Sequence, residues 1–149
     1  MRILIQRVTS ANVVVLGSAT GAIDHGLLLL VGVTHADTEN IEDRMADKIV
    51  KLRIFSDEKG LMNRSVTDVG GGILAVSQFT LYADAKGGNR PSYTAAARPE
   101  QASPAFDRFV AKLATRLDKP VPTGVFGADM KVALVNDGPV TIWLDSETL

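Results

Sequence analysis

The chain has 149 residues and no cysteine, which excludes disulfides, thiol nucleophiles and zinc sites built on thiolates. Histidine is also scarce: His25 and His35 stand apart, without the Glu-x-x-His or paired spacing of a metal site. The Gly-x-Ser-x-Gly elbow that presents the nucleophile of many serine hydrolases is missing as well. We therefore expect no metal site, no cofactor and two histidines at the surface.

Long apolar runs and an excess of one charge are both lacking. The longest apolar stretch, Leu27 to Val33, is far too short to span a bilayer, and Met1 to Arg7 lacks the order of regions of a signal peptide. We therefore expect a cytoplasmic protein without a membrane partner. The formal net charge of -1 argues against a general coat on nucleic acid, because that affinity comes from many phosphate contacts. Any nucleic-acid contact must be focal.

Length and periodicity predict one domain, residues 1–149, of the mixed α and β class. Apolar patterning predicts strands at 3–8, 12–16, 26–33, 73–82, 131–135 and 140–144. The strand at 26–33 is apolar on both faces and is expected to be central. Apolar side chains three and four residues apart predict two helices, one over 39–55 and one that begins with Ser103 as N-cap and Pro104 at its first position.

The stretch Asn136-Asp137-Gly138-Pro139 separates the last two predicted strands. Asn and Asp tolerate left-handed conformations, Gly adopts positive φ freely, and Pro fixes its own φ. This chemistry and the length of the connection predict a tight turn that joins 131–135 and 140–144 as a β-hairpin.

Polar side chains interrupt the strand predicted at 73–82, at Ser77-Gln78-Phe79-Thr80. On a strand, Ser77 and Phe79 point to one face, and Gln78 and Thr80 to the other. A buried polar group without a partner costs about 1 to 3 kcal/mol. From the residues alone, a strand end with one solvated face is favoured over a catalytic segment, because polar residues that face solvent are common.

A connection without predicted structure follows over residues 83–102, and connections of that length are often functional. This connection holds a mixture suited to holding phosphates and stacking a base: Lys86, Arg90 and Arg98 with Asn89, Ser92, Tyr93 and Thr94. A solvated loop with scattered charge accounts for the same composition equally well.

Several segments, taken together, resemble the signature segments of the D-aminoacyl-tRNA deacylases. The segments are Ser77-Gln78-Phe79-Thr80-Leu81, Asn89-Arg90-Pro91-Ser92-Tyr93 and Asn136-Asp137-Gly138-Pro139-Val140-Thr141. Ile5-Gln6-Arg7-Val8, Arg53-Ile54-Phe55-Ser56-Asp57 and Thr123-Gly124 with Ala128-Asp129-Met130 extend the resemblance, in the family's order, over almost the whole chain. Tyr93 departs from the pattern, since phenylalanine is expected after Arg-Pro-Ser.

The resemblance implies an α/β domain of layered, barrel-like β-sheets with two main helices packed on one side. It also implies an enzyme that hydrolyses the ester between a D-amino acid and the terminal adenosine of tRNA, and that rejects L-aminoacyl-tRNA. Glycine mischarged on tRNA-Ala is an expected further substrate. Members of the family are homodimers with active sites at the interface, so the expected partners are aminoacyl-tRNA and a second copy of the chain.

The resemblance further implies the residues of the site. Ser77, Gln78, Phe79 and Thr80 are implied as catalytic. The pair Gly138 and Pro139 is implied to form a cis peptide that enters the partner's pocket. The other implied substrate-binding residues are Arg7, Arg90, Phe126, Met130 and Asn136.

Two mechanisms stay open. Backbone N–H groups of Phe79 or Thr80 could stabilise the developing oxyanion without any titratable side chain. The Thr80 hydroxyl could instead be the nucleophile, but it would need a base, and its motif contains no histidine or lysine. We rank it below assistance by the 2′-hydroxyl of the adenosine. A module that binds charged tRNA without turnover and a structural dimerisation domain are the alternatives to an esterase.

Overall fold

One long strand, β1 (Arg2–Val15), organises the sheet in a computed structural model that describes residues 1–149. It pairs antiparallel with β2 (Ser18–Ile23), with β3 (Gly26–Gly32) and, along its other edge, with β7 (Lys131–Asp145). The strand β6 (Gly72–Ser77) pairs parallel with β3. The strands predicted at 3–8 and 12–16 are therefore one strand. The sequence did not predict β2, because its small and polar residues carry no apolar alternation.

Two helices lie in the connections of this sheet and pack on one side of it. The helix α1 (Glu39–Lys51) and the short hairpin of β4 (Phe55–Ser56) and β5 (Met62–Arg64) link β3 to β6. The helix α2 (Pro99–Leu117) precedes β7. The layered, barrel-like α/β class is confirmed. No helix combines the length and apolar character needed to cross a membrane.

Both helix boundaries differ from the prediction. The helix α1 ends at Lys51 rather than Phe55, because Phe55 pairs with Arg64 in the short hairpin. The predicted start of α2 at Ser103 and Pro104 is wrong: the helix begins at Pro99, where the missing N–H costs nothing. The earlier start adds Ala102 to the buried side of the helix, and Pro104 lies inside it.

Apolar side chains cover both faces of the sheet. The larger cluster fills the space between the sheet and the helices, and includes Ile3, Ile5, Leu29, Ile73, Met45, Ile49, Phe109 and Leu113. The smaller one lies on the opposite face, where β2 and β7 curl over, and includes Val8, Val13, Leu28, Leu74 and Val76. The strand β3 contributes to both clusters and lies between β1 and β6, so its predicted central position is confirmed.

The predicted C-terminal hairpin is wrong. The strand β7 runs antiparallel to β1 on both sides of the Asn-Asp-Gly-Pro stretch, with Val8 opposite Asn136 and Gln6 opposite Thr141. Residues 137–140 therefore have only Arg7 opposite them and protrude from the strand as an enlarged bulge, with four residues opposite one. We call residues 137–140 the Gly-Pro bulge. The Asn, Asp, Gly and Pro residues do bend the chain locally. Because both flanks pair with β1, however, the chain continues in its original direction after the bulge and does not reverse as in a hairpin.

The strand predicted at 73–82 is also shorter than expected. The Gln78 N–H still donates to the Val31 carbonyl at 2.8 Å, but β6 ends at Ser77 and residues 79–82 form a 3₁₀ turn. The alternating faces predicted for this segment therefore do not exist. The connection that follows is held by backbone hydrogen bonds, among them one of 2.9 Å from the Ala97 N–H to the Val33 carbonyl.

A row of ion pairs joins α1 to α2. The buried Glu42 accepts a hydrogen bond of 2.7 Å from Arg108, and Asp43 accepts one of 2.8 Å from Lys112. Arg116 donates to both Asp43 and Asp47, at 2.9 and 2.5 Å. These hydrogen bonds, from Lys112 and then Arg116 for Asp43 and from Arg116 for Asp47, lower the pKa of both carboxyls.

Removing these two carboxylates should weaken the protein's response to acid. A carboxylate with a lowered folded pKa stabilises the fold above its unfolded pKa, and this contribution is lost as the pH falls through the folded pKa. For Asp43 and Asp47 the loss begins near the ordinary value of 3.8 and continues below it. In urea denaturation, the Asp43→Asn/Asp47→Asn variant should be less stable than the parent at neutral pH and should lose less stability on acidification.

The control is Glu58→Gln, which removes an exposed carboxylate that makes no hydrogen bond. It should follow the parent. If the double variant and the parent lost the same free energy of unfolding between neutral pH and about pH 2, the ion pairs would not be a source of the acid sensitivity.

Candidate functional site

A cavity of about 590 Å³ opens where β3 and β6 end. Because these strands are parallel, their carboxyl ends meet at the same edge of the sheet, and Val31 and Val76 form one wall of the cavity. The start of α2 forms a second wall through Ala102 and Phe106. Residues 126–130 form a third. The lining is mostly apolar, which is typical of a small-molecule site that positions its ligand with a few polar groups.

The polar end of the cavity is the segment that the sequence singled out. Ser77, Gln78 and Phe79 line the cavity, whereas Thr80 does not, although its hydroxyl accepts a hydrogen bond from the Gln78 side chain. Phe79 and Thr80 begin the 3₁₀ turn, and N–H groups at the start of a helical turn have no acceptor within it. The turn therefore presents backbone donors to an acceptor outside it.

The wall of residues 126–130 is held in place by β6. The Ala75 N–H donates to the Pro122 carbonyl at 3.1 Å, which anchors the chain just before this wall. The ring of Phe126 lies 6.5 Å from that of Phe106, and Met130 lines the cavity beside it. These contacts place Phe126 and Met130 at the cavity, opposite β3 and β6.

Few titratable groups line the cavity. Tyr93 packs edge to face against Phe79 with 5.1 Å between the ring centroids, and the Asp129 carboxyl is 84% exposed and 3.0 Å from the Lys131 ammonium. His25 and His35 are outside the lining and exposed, as predicted. No group of three or more His, Asp or Glu side chains is arranged to hold a metal ion. The cavity therefore offers no histidine or lysine base to activate a nucleophile.

Arg98, which the sequence places in the connection among the residues suited to holding phosphates, lines the cavity. It is the residue that precedes the first turn of α2, and it is the only cation in the lining. The signal for this position was available, since Arg98 directly precedes Pro99 and proline favours the first helical position. The start of the helix was instead assigned to Ser103 and Pro104, which left Arg98 in an apparent loop.

The Gly-Pro bulge is fixed by side chains from its own chain. Arg7 donates from Nε to the Asp137 carbonyl at 3.2 Å, lies 3.1 Å from the Asp137 carboxylate, and donates from Nη1 to the Ile54 carbonyl at 2.7 Å. The Asn136 amide donates to the Arg7 carbonyl at 3.1 Å and to the Val140 carbonyl at 3.0 Å, which closes the neck of the bulge. The peptide bond between residues 138 and 139 is cis, as the resemblance implied.

Glycine is required at position 138 by its backbone and by the space around it. Its φ is +115°, a value that residues with a side chain rarely adopt. A Cβ there would also lie 2.9 Å from both Arg7 Nη2 and the Val140 side chain. Gly138 and Pro139 are exposed, so the bulge presents bare backbone to its surroundings.

The predicted site residues fall into two separate groups within one chain. Ser77, Gln78, Phe79, Phe126 and Met130 line the cavity, with Thr80 beside them. Arg7, Asn136, Gly138 and Pro139 form or hold the bulge, and none of these four lines the cavity. Arg90 is exposed in the connection before α2, makes no hydrogen bond and joins neither group.

Comparison with known proteins identifies relatives along the whole chain. A family model described as D-Tyr-tRNA(Tyr) deacylase matches residues 4–145. Proteins named D-aminoacyl-tRNA deacylase from Dechloromonas aromatica and Chloroherpeton thalassium are 59% and 61% identical to this chain, over 99% of its length and over 98% and 97% of theirs.

Two solved structures share the fold of this chain. A protein described as c-Myc DNA Unwinding Element Binding Protein is 41% identical, with a TM-score of 0.90 over 97% of this chain and 98% of its own. A probable eukaryotic D-amino acid tRNA deacylase shares the fold at 15% identity, with a TM-score of 0.80 over 96% of this chain and 97% of its own. With a family model that spans nearly all of its residues, the chain belongs to the D-Tyr-tRNA(Tyr) deacylase family.

Proposed function

We propose that this protein hydrolyses the ester bond of D-aminoacyl-tRNA, releases the D-amino acid and the tRNA, and rejects L-aminoacyl-tRNA. The observation that carries the proposal is the position of Ser77, Gln78 and Phe79 at the polar end of a cavity of about 590 Å³. That volume is within the range of small-ligand pockets, roughly 300 to 1,000 Å³. The names of the relatives give the same substrate class.

The proposed chemistry uses backbone donors instead of a side-chain nucleophile. Water attacks the ester carbonyl carbon, and the N–H group of Phe79, or that of Thr80 beside the cavity, stabilises the oxyanion that develops. The bond from the carbonyl carbon to the 3′-oxygen then breaks. Because the cavity lacks a histidine or lysine base, we assign proton transfer from the water to the leaving 3′-oxygen to the neighbouring 2′-hydroxyl of the adenosine.

Selection against L-amino acids is proposed to depend on the Gly-Pro bulge of a second copy of the chain. The bulge and the cavity are separate within one chain, so they meet only if two chains combine, and a two-fold dimer combines both pairs at once. Exposed apolar side chains on the same surfaces support such an interface: Val135 and Trp143 on β7 are 56% and 48% exposed, and Phe79 is 56% exposed. Rigid backbone at the α-carbon would collide with an L side chain.

The same logic extends the proposal to glycine. A site that rejects a substrate by collision with its side chain meets no obstacle in glycine, which has none. We therefore include glycyl-tRNA mischarged on tRNA-Ala among the substrates. The place of action that we propose is the cytoplasm, where aminoacyl-tRNA is made and used.

A deacylation assay with three substrates tests the activity. D-Tyr-tRNA and Gly-tRNA should be hydrolysed much faster than in buffer, whereas L-Tyr-tRNA should be as stable as in buffer, because the bulge excludes its side chain. Release of the amino acid from labelled aminoacyl-tRNA measures the rates. Tight binding of all three charged tRNAs without turnover would show that the protein is a binding module and not an enzyme.

The variant Thr80→Ala separates the two mechanisms. If backbone donors and the 2′-hydroxyl carry the reaction, kcat/KM for D-Tyr-tRNA should fall by less than about tenfold, since only the hydrogen bond from the Gln78 side chain is lost. A nucleophile is far more costly to remove, about a millionfold in kcat for a serine protease. Thr80→Ser, which keeps the hydroxyl, is the matched control. A loss of more than about a thousandfold in Thr80→Ala, restored by serine, would make Thr80 the nucleophile.

Two inactive variants should restore each other if the site is shared between subunits. In the proposed dimer the partner's bulge also closes the cavity over the bound aminoacyl-adenosine, so Arg7→Ala, which removes the side chain that holds the bulge, should leave the substrate unheld. Ala128→Trp fills the cavity itself. After unfolding and refolding a one-to-one mixture, half of the dimers are mixed, and each mixed dimer has one intact cavity facing one intact bulge. The mixture should therefore regain about a quarter of the parental rate of D-Tyr-tRNA hydrolysis.

Each variant refolded alone is the control and should stay inactive. No gain in the mixture, with mixed dimers verified by mass spectrometry of differently tagged chains, would rule out a site shared between subunits.

A further inference from the structure

The charges of α1 are divided between two sides of the helix. The acidic residues Glu42, Asp43 and Asp47 face α2 and bind its cations. The basic residues Arg44, Lys48 and Lys51 are four and three residues apart, which places them on one stripe. All three are exposed. The helix is therefore neutralised on the side of α2 and remains positive on the other side.

This positive stripe lines an open groove. Arg44, Lys48, Lys51 and Arg53 surround a space of about 580 Å³ at the carboxyl end of α1. Only one carboxylate side chain lines the groove, that of Asp47, and it is bound by Arg116 at 2.5 Å. Lys48, Lys51 and Arg53 make no hydrogen bond or ion pair, and Arg44 donates only to the main-chain oxygen of Leu149, the last residue, which also lines the groove, at 2.9 Å. We call these four cations the α1 basic patch.

The protein as a whole makes this patch distinctive. The formal net charge is -1, so there is no general attraction for polyanions, and phosphate binding must come from a local concentration of cations. Four neighbouring cations without a side-chain acid of their own form such a concentration. The long flexible stems of lysine and arginine suit an irregular row of phosphates, and the spacing of one helical stripe matches a strand that runs along it.

The patch adjoins the Gly-Pro bulge. Arg53 precedes Ile54, whose carbonyl accepts the 2.7 Å hydrogen bond from Arg7, and Arg7 in turn holds Asp137 of the bulge. If the bulge of one protomer enters the cavity of its partner, the patch is carried to the rim of that same cavity. An RNA whose 3′ end occupies the cavity would then pass over the patch of the other protomer.

We propose that the α1 basic patch binds the phosphate backbone of tRNA near its aminoacylated end, and that the patch is supplied by the protomer that supplies the bulge. This inference rests on the proposed function for the identity of the RNA. It assigns α1 to holding the tRNA and the cavity to the terminal aminoacyl-adenosine. The patch contacts no reacting atom, so it contributes to capture of the substrate and not to the chemical step.

The test compares binding and turnover in Lys48→Gln/Lys51→Gln. Binding of uncharged tRNA, followed by fluorescence anisotropy between about 50 and 200 mM salt, should weaken by about tenfold at the lowest salt. The slope of log affinity against log salt should become shallower by about 1.5, because each lost phosphate contact removes about 0.7 to 0.9. For turnover, kcat/KM should fall about tenfold for D-Tyr-tRNA and stay unchanged for D-Tyr-adenosine, which has no phosphate backbone.

Two matched variants control for charge and for folding. Lys48→Arg/Lys51→Arg keeps the charge and should bind tRNA like the parent. Lys59→Gln/Lys119→Gln removes two exposed lysines elsewhere that have no acid partner, and its affinity and salt slope should change much less. Thermal unfolding verifies that all variants are folded.

Three results would contradict the proposed role of the patch. The first is a tRNA affinity of Lys48→Gln/Lys51→Gln equal to that of the parent, and the second is the same loss of tRNA affinity in Lys59→Gln/Lys119→Gln. The third is binding of poly-glutamate as tight as that of tRNA, which would make the partner an acidic protein. The proposed function fails separately. If the parent binds tRNA through the patch but leaves D-Tyr-tRNA intact, the proposed activity is wrong and the role of the patch stands. If the parent hydrolyses D-Tyr-tRNA but binds tRNA equally well without the patch lysines, the activity stands and the role of the patch is wrong.

Discussion

Backbone pairing of β1 along both of its edges is the constraint on which the rest of the structure depends. On one edge it fixes β3, which aligns β6 in parallel and so creates the strand ends where the cavity opens. On the other edge it fixes β7 on both sides of the Gly-Pro bulge, so the extra residues of the bulge must protrude from the strand. One strand therefore sets the positions of the cavity and of the bulge, which are the two halves of the proposed site.

The charged residues of α1 are divided between two sides of the helix. The acidic side of α1 is neutralised by α2, which joins the two helices to each other, whereas apolar packing holds them on the sheet. Because those acids pair with cations of α2, they do not pair with the basic residues on the other side of α1. That side therefore carries a local positive charge in a protein that is nearly neutral overall. An exposed ion pair contributes little stability, about 0 to 1 kcal/mol. The larger consequence of the pairing is electrostatic, because it leaves positive potential on the exposed side of α1.

The sequence was a good guide wherever periodicity decides the structure. Both helices and the central β3 follow from apolar spacing, since burial of these side chains dominates the local free energy. It was a poor guide at the Gly-Pro bulge, because the same residues favour a turn whether the chain reverses or only protrudes. Pairing of the flanks with β1, a long-range contact, decides between the two. Local propensity also could not choose between Pro99 and Pro104 as the start of α2, and burial of Ala102 favours the earlier one.

The site residues were recognisable by motif, but motifs do not reveal why each residue type is needed. Asn136 serves the neck of the bulge, because both of its donated hydrogen bonds go to carbonyls of its own chain. Arg7 has a comparable role, since its side chain is only 11% exposed and binds two carbonyls and a carboxylate. The exposed feature that they hold is backbone.

Backbone suits a discriminator of chirality for a physical reason. A flexible side chain can move away from a substrate of the wrong hand, so its collision costs little free energy. A bulge that is held at its neck by Asn136 and along its side by Arg7 cannot yield in the same way, and the collision keeps its full cost. In this protein polar side chains supply rigidity, backbone supplies the proposed recognition, and N–H groups supply the proposed catalysis. A cavity without a histidine or lysine base is consistent with that division.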